Sequence, residues 1–150
     1  MKKFLSIMMI AALSLVLWSC GDDEKSEPVS PVQNIESVCD NPDTDTHFTF
    51  DINTDNELSS IYLYHVSFSI GERQSPAMNI RIDAPCTASG KVFTYQGTGL
   101  VPFLMMGATA VPSPDFMVTD LVCHVDVEHK TYDIYFKCHG GEFSHSGKLK

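Results

Sequence analysis

The side chains able to do chemistry are five cysteines (Cys20, Cys39, Cys86, Cys123, Cys138), six histidines (His47, His65, His124, His129, His139, His145) and a set of tyrosines and methionines. Acyl transfer needs a nucleophile, a base and an oxyanion hole. His139-Gly140-Gly141 carries the glycines an oxyanion loop would use, but no G-x-S-x-G elbow accompanies it. The two glycines read better as a tight link between strands. Metal binding needs converging ligands, and the histidines show no H-x-x-x-H or H-E-x-x-H spacing. His124 and Asp126 share one polar strand face, where the nearby Lys137 cation works against a metal. The expectation is a chain with no catalytic residues, no metal and no cofactor.

What remains is binding chemistry. Leu100 to Met106 is continuously apolar and broken only by Pro102. Phe103, Met105 and Met106 would suit a pocket rim or contact patch, because methionine adapts to irregular apolar shapes. The competing reading is a core strand with a proline at its edge. Tyr62 and Tyr64, with Tyr95 and Tyr135, would make a sugar-stacking platform if they faced solvent together. They would equally serve as core residues with hydroxyls at the rim.

The elements positioning these residues are strands. Phe48, Phe50 and Ile52 alternate with polar residues and predict a first strand. Ile61 to Ile70 predicts a second, with Tyr62, Tyr64, Val66, Phe68 and Ile70 on one face. Met78, Ile80 and Ile82 give a third before Pro85, and Val92 to Gln96 a fourth. Leu121, Cys123, Val125 and Val127, then Tyr132, Ile134, Phe136 and Cys138, outline a hairpin with one apolar face per strand. Phe143 to Leu149 is a last strand. Seven or eight short strands without helical period predict an all-β domain, a small antiparallel β-barrel or β-sandwich.

Four cysteines besides Cys20 allow three pairings. If the hairpin turn centres between Lys130 and Thr131, Val127 faces Ile134, Val125 faces Phe136 and Cys123 faces Cys138. That favours a Cys123–Cys138 disulfide and leaves Cys39–Cys86, a longer loop whose closure would stabilise by roughly 3–4 kcal/mol.

The N-terminus sets the compartment. Met1-Lys2-Lys3 is cationic, and Phe4 to Trp18 is an apolar run shorter than the roughly 20 residues of a membrane span. Leu17-Trp18-Ser19-Cys20 resembles a lipobox, which implies a signal peptide over residues 1–19 and diacylation of Cys20. Two acyl chains give stable membrane anchoring where one gives only marginal binding. Residues 20–44, with Pro28, Pro31 and Pro42 among acidic and small polar residues, read as a flexible tether. The domain is expected over 45–150. Gly21-Asp22-Asp23-Glu24-Lys25 is similar to the export signal of Bacteroidota surface lipoproteins, which implies the cell surface, with the periplasmic face of the outer membrane as the alternative.

The order of features over 45–150 resembles the Bacteroidota lipoproteins with a calycin-like (lipocalin-like) β-barrel domain. The stretches that carry the likeness are Phe68 to Ile82, Val101-Pro102-Phe103 through Val111-Pro112-Ser113-Pro114-Asp115-Phe116, Val118-Thr119-Asp120-Leu121 and Ser146-Gly147-Lys148-Leu149. The resemblance implies a barrel-like fold, outer-membrane placement and a lipid-like or other small ligand. It supplies no catalytic residues.

The formal charge is −9, and residues 1–19 carry two lysines and no acid, so a chain processed at Cys20 stands at −11. Such a chain repels nucleic-acid phosphates and anionic headgroups. The expected function is non-enzymatic binding of a small apolar or glycan ligand, at a membrane reached through the lipid anchor. The alternative is a structural or protein-interaction module without a ligand cavity.

Overall fold

Alternation of apolar and polar residues gives each strand one face to bury, and burying it requires a second sheet. The computed structural model describes residues 32–39, 41–53 and 58–150. The expected signal peptide, Cys20 and the first part of the expected tether lie outside the described residues.

The chain runs through β1 (Val32–Glu36), β2 (His47–Asn53), β3 (Ser59–Val66) and a small hairpin, β4 (Ser69–Ile70) and β5 (Arg73–Gln74). Then come β6 (Met78–Ala84), β7 (Cys86–Ser89), β8 (Val92–Gly97), β9 (Phe103–Met106) and β10 (Thr109–Pro112). A 3-10 turn at Pro114–Phe116 leads to β11 (Val118–Asp126), β12 (Thr131–Cys138) and β13 (Gly141–Lys148). Two antiparallel sheets result, ordered β1-β2-β3-β6-β9-β10 and β13-β12-β11-β8-β7. They do not close into a barrel. Along one side they are fastened: Ser37 bridges Leu149, the Val38 N–H donates to the Lys148 carbonyl at 2.8 Å, and the Lys150 N–H donates to the Glu36 carbonyl at 3.0 Å.

The domain therefore starts earlier than expected. Residues 32–36, assigned to the tether on composition, form β1, whose five residues pair with Asn53 to Thr49 of β2. The core lies between the sheets. Phe48, Phe50, Ile61, Leu63 and Ile82 of the first meet Tyr95, Cys123, Val125, Ile134 and Phe136 of the second, all at 1% exposure or less. Ring centroids of Phe48 and Phe50 lie 5.3 and 5.2 Å from that of Tyr132. The Tyr95 hydroxyl crosses the core and donates to the Asp51 carbonyl at 3.3 Å, and burial pushes its pKa far above the usual tyrosine range.

Two details depart from the expected pattern. In β3 the alternation buries Ile61 and Leu63, and Tyr62 and Tyr64 point away from the core. The register shifts between Leu63 and Val66, where His65 adopts a φ of 52°. This bulge adds a residue and reverses the alternation, so Val66 turns inward although Tyr62 and Tyr64 do not. The strand ends there rather than continuing to Ile70.

The second departure is the hairpin register. Asp126 pairs with Thr131, and the turn occupies Val127 to Lys130. The Asp126 carboxylate accepts from the backbone N–H groups of Glu128 and His129 at 3.0 and 2.9 Å, closing the turn two residues early. The apolar faces stay as expected, but Cys123 now opposes Ile134, and Cys138 opposes Val118. Cys138 is four residues from Ile134 along β12, about 13 Å, which is too far for the expected Cys123–Cys138 disulfide. Cys39, Cys86, Cys123 and Cys138 are all free thiols, so the Cys39–Cys86 bridge is not formed either. Burial raises the thiol pKa of Cys86, Cys123 and Cys138. In a labelling experiment with an alkylating reagent, Cys123 and Cys138 should react only on unfolding, while Cys39 reacts in the native protein. Complete resistance to labelling after unfolding without reductant would restore the disulfides.

The Asp126–His129 pair also carries a pH signature. The His129 imidazole contacts the Asp126 carboxylate at 2.7 Å. This hydrogen bond raises the His129 pKa above 6.5, and hydrogen bonds from His129 lower that of Asp126 below 3.8. The raised histidine contributes below its unfolded value and loses the contribution as pH rises through its folded value. The lowered aspartate contributes above its unfolded value and loses it as pH falls through its folded one. The turn is thus tightest between about pH 4 and 6.5. NMR titration should show His129 titrating above 6.5, and Asp126→Asn should return it to the ordinary value.

The β12–β13 link is His139-Gly140, both at positive φ (50° and 77°), with Cys138 paired to Gly141. That is a type I′ turn. Gly141 has a different reason to be glycine: a Cβ there would lie 2.3 Å from the Ser69 carbonyl oxygen. Backbone cannot rotate aside, so Gly141→Ala should push β4 off β13 and cost about 1–3 kcal/mol, measured as a lowered urea midpoint.

Candidate functional site

The six-stranded sheet positions two candidate sites, one on each face. On the outer face, cross-strand register sets Thr49, Tyr62, Arg81, Phe103 and Pro112 in one row across β2, β3, β6, β9 and β10. Beside it, His47 pairs with Tyr64, their rings stacked at 4.5 Å and 13°. Tyr62 lies nearly parallel to Tyr64, 6.4 Å away and also at 13°. The Arg81 guanidinium carbon sits 4.3 Å from the Phe103 ring centroid, a cation–π contact.

Polar groups border these rings. Arg81 is held by Asp83, with Nε 3.1 Å from Oδ1 and Nη2 donating to Oδ2 at 3.1 Å. Ser60 donates to the same carboxylate at 2.7 Å, and Asn34 donates to Asp51. Partial burial, with Tyr62 and Asp51 nearby, raises the Tyr64 pKa, so the phenol stays neutral.

Of the residues expected to bind ligand, the structure brings Tyr62, Tyr64, Phe103 and Met105 to this face. Met106 is on the opposite side of its strand and 64% exposed at the hairpin end. Tyr95 is fully buried, and Tyr135 belongs to the other sheet. His47 and Arg81 were missed. Arg81 is legible as outward-facing from Ile80 and Ile82 on either side, but its place beside Tyr62 depends on pairing between β3 and β6.

On the inner face of the same strands is an apolar cleft of about 250 Å³. Met78 and Ile80 of β6, Leu104 of β9, Pro76, Pro102, Ser113 and Phe116 line it. It forms because prolines interrupt the ladder around β9 and β10, and the 3-10 turn swings Phe116 over the gap. The Ser113 N–H donates to the Pro102 carbonyl at 2.8 Å and its hydroxyl to the Val111 carbonyl at 3.2 Å. The polar groups at the rim are therefore already engaged, and the surface offered to a guest is almost wholly apolar. Such a cavity holds water poorly and accepts apolar molecules.

The remaining reactive side chains are tied into local structure. Cys138 donates its thiol hydrogen to the Phe116 carbonyl at 3.2 Å, and His139 Nδ1 lies 3.0 Å from the Asp115 carbonyl. His124 is paired with Asp133 at 2.9 Å, and Lys137 with Asp120 at 3.0 Å. Among the described residues no group of three or more His, Cys, Asp or Glu converges as a metal site. Among them, too, no helix is long and apolar enough to cross a membrane. No protein-family model, curated protein or solved structure matches the chain, so its reading rests on these two faces.

Proposed function

We propose that this protein is a lipoprotein acylated at Cys20 and held at the outer membrane, facing the cell surface, whose β-domain binds a small apolar ligand without acting on it chemically. The observation that carries the reading is the cleft between Met78, Ile80, Leu104 and Phe116, with its nearly all-apolar lining. A volume of about 250 Å³ exceeds that of an apolar protein cavity known to take benzene (about 150 Å³). It suits a ring system or the end of an alkyl chain. The sequence features around Cys20 support the anchor, and the acidic residues after it support the surface placement.

Native mass spectrometry of the purified protein tests the ligand. An adduct of lipid or small aromatic mass, lost on denaturation, is the expected result; a bare chain that takes up no added alkyl or aromatic compound overturns it. Metabolic labelling with radioactive palmitate tests the anchor: label should enter the wild type and be absent from Cys20→Ser.

A further inference from the structure

We infer that the apolar cleft is gated, and that Cys138 and His139 are the positioning residues that latch its gate. The inference rests on the cleft being the ligand site. Phe116, which forms one wall, stands on the 3-10 turn Pro114–Phe116, and none of the turn's residues is fully buried. Backbone hydrogen bonds fix this flap at both ends. The Ser113 N–H donates to the Pro102 carbonyl, and Leu100 and Val118 exchange N–H···O bonds of 3.0 and 2.8 Å. Inside the flap, the Phe116 N–H donates to the Ser113 carbonyl at 3.0 Å and the Met117 N–H to the Pro114 carbonyl at 3.2 Å.

Two consecutive residues from another strand hold its middle. His139 Nδ1 lies 3.0 Å from the Asp115 carbonyl, and since a carbonyl can only accept, Nδ1 carries the proton. The Cys138 thiol donates to the Phe116 carbonyl at 3.2 Å, and the His139 ring lies 5.4 Å from that of Phe116. The latch itself is fixed in place. Cys138 pairs with Val118 of β11 and Gly141 of β13, and the type I′ turn sets the direction of His139. Single hydrogen bonds contribute little net, and a thiol is a weak donor. The flap can therefore open while both sheets stay folded.

The flap also has room to move. Phe116 lines the cleft, and the next residue, Met117, lines a separate open hollow of about 420 Å³ together with Cys138 and His139. It is thus a thin partition between two spaces. Releasing the latch moves Phe116 toward the hollow and uncovers the cleft. A gate and a fixed wall differ in kinetics. More frequent opening speeds entry and exit alike and leaves Kd nearly unchanged, whereas damage to a wall acts mainly on exit.

Stopped-flow fluorescence with the neutral probe N-phenyl-1-naphthylamine tests the inference. His139→Asn takes away the imidazole and keeps the turn, because Asn-Gly is a favoured pair for it. Association and dissociation rates should both rise about fivefold, the worth of one neutral hydrogen bond, with Kd within about twofold of the wild type. Cys138→Ala should also raise both rates, and Cys138→Ser, which restores a donor, should bring them back. Amide hydrogen exchange without ligand gives an independent readout. The Met117 N–H should exchange about fivefold faster in His139→Asn, while the Ser113 N–H at the fixed end does not change. Faster dissociation at unchanged association, or rates and Met117 exchange unaffected by both His139→Asn and Cys138→Ala, overturns the gate. A wild-type protein that takes up no probe overturns the cleft reading instead, and exchange at Met117 still decides the latch.

Discussion

Phe48→Ala should lower the free energy of unfolding by about 3–5 kcal/mol, the range for removing a buried phenylalanine ring. Phe48 is at 0% exposure in β2 and reaches across to the second sheet. There its ring meets Tyr132 at 5.3 Å, Phe143 at 6.3 Å and His145 at 4.8 Å. These partners belong to β12 and β13, so the ring joins the sheets where no ladder hydrogen bonds do. They are themselves large and mutually packed, with Tyr132 and His145 parallel within 7° and their polar atoms 3.0 Å apart. That packing limits collapse into the vacated space, which places the cost toward the upper end of the range. A domain of this size has a total stability of about 5–15 kcal/mol, so the variant should be marginal at 37 °C. Phe48→Leu, which keeps most of the volume, should lose far less. Urea unfolding followed by circular dichroism measures both; equal losses would mean that the ring contacts do not matter.

The second large effect is on binding. Met78→Trp should weaken uptake of a neutral fluorescent probe such as N-phenyl-1-naphthylamine at least tenfold, with little loss of stability. Met78 is half-buried on β6 and lines the cleft with Ile80, Leu104 and Phe116. A flexible thioether replaced by a rigid indole fills space that is empty in the native protein, and the new ring gains apolar contacts instead of clashing with a full core. A tenfold loss corresponds to 1.4 kcal/mol, about the hydrophobic contribution of two buried methylenes. Ser113→Ala is the complementary control: its hydroxyl is spent on the Val111 carbonyl, so probe affinity should stay within twofold. Met78→Trp that binds the probe like the wild type would place the ligand elsewhere.

Much of the fold was legible because it depends on alternation within single strands. Phe48, Phe50 and Ile52, or Tyr132, Ile134 and Phe136, are buried as their spacing requires. What escaped prediction depends on single residues that interrupt alternation or on pairing between distant segments. His65 at positive φ turns the tyrosines of β3 outward, and the Asp126 side chain sets a hairpin register that alternation alone leaves open by two residues. β1 was hidden by its surroundings: a short strand after Pro31 carries a tether's composition until β2 provides its partner. The outer aromatic face needs residues 47, 62, 81 and 103 brought together by three strand pairings. The cleft needs prolines and a 3-10 turn, neither of which has a periodic signature. Phe103 and Met105 were picked out for their composition, and composition could not say which face they would occupy.

The fastening of Ser37 and Val38 to Lys148 and Leu149 bears on when the domain can become whole. Those bonds join nearly the first described residue to nearly the last. Whatever delivers the chain from its N-terminus, synthesis or passage through a membrane, Lys148 and Leu149 follow the rest of the described strands in the chain. Contacts so distant in sequence also form slowly. β1 can pair with β2 early, yet its far end stays unlocked until Leu149 emerges. Completion thus waits on Lys148 and Leu149, and the domain remains open along one side until they are in place.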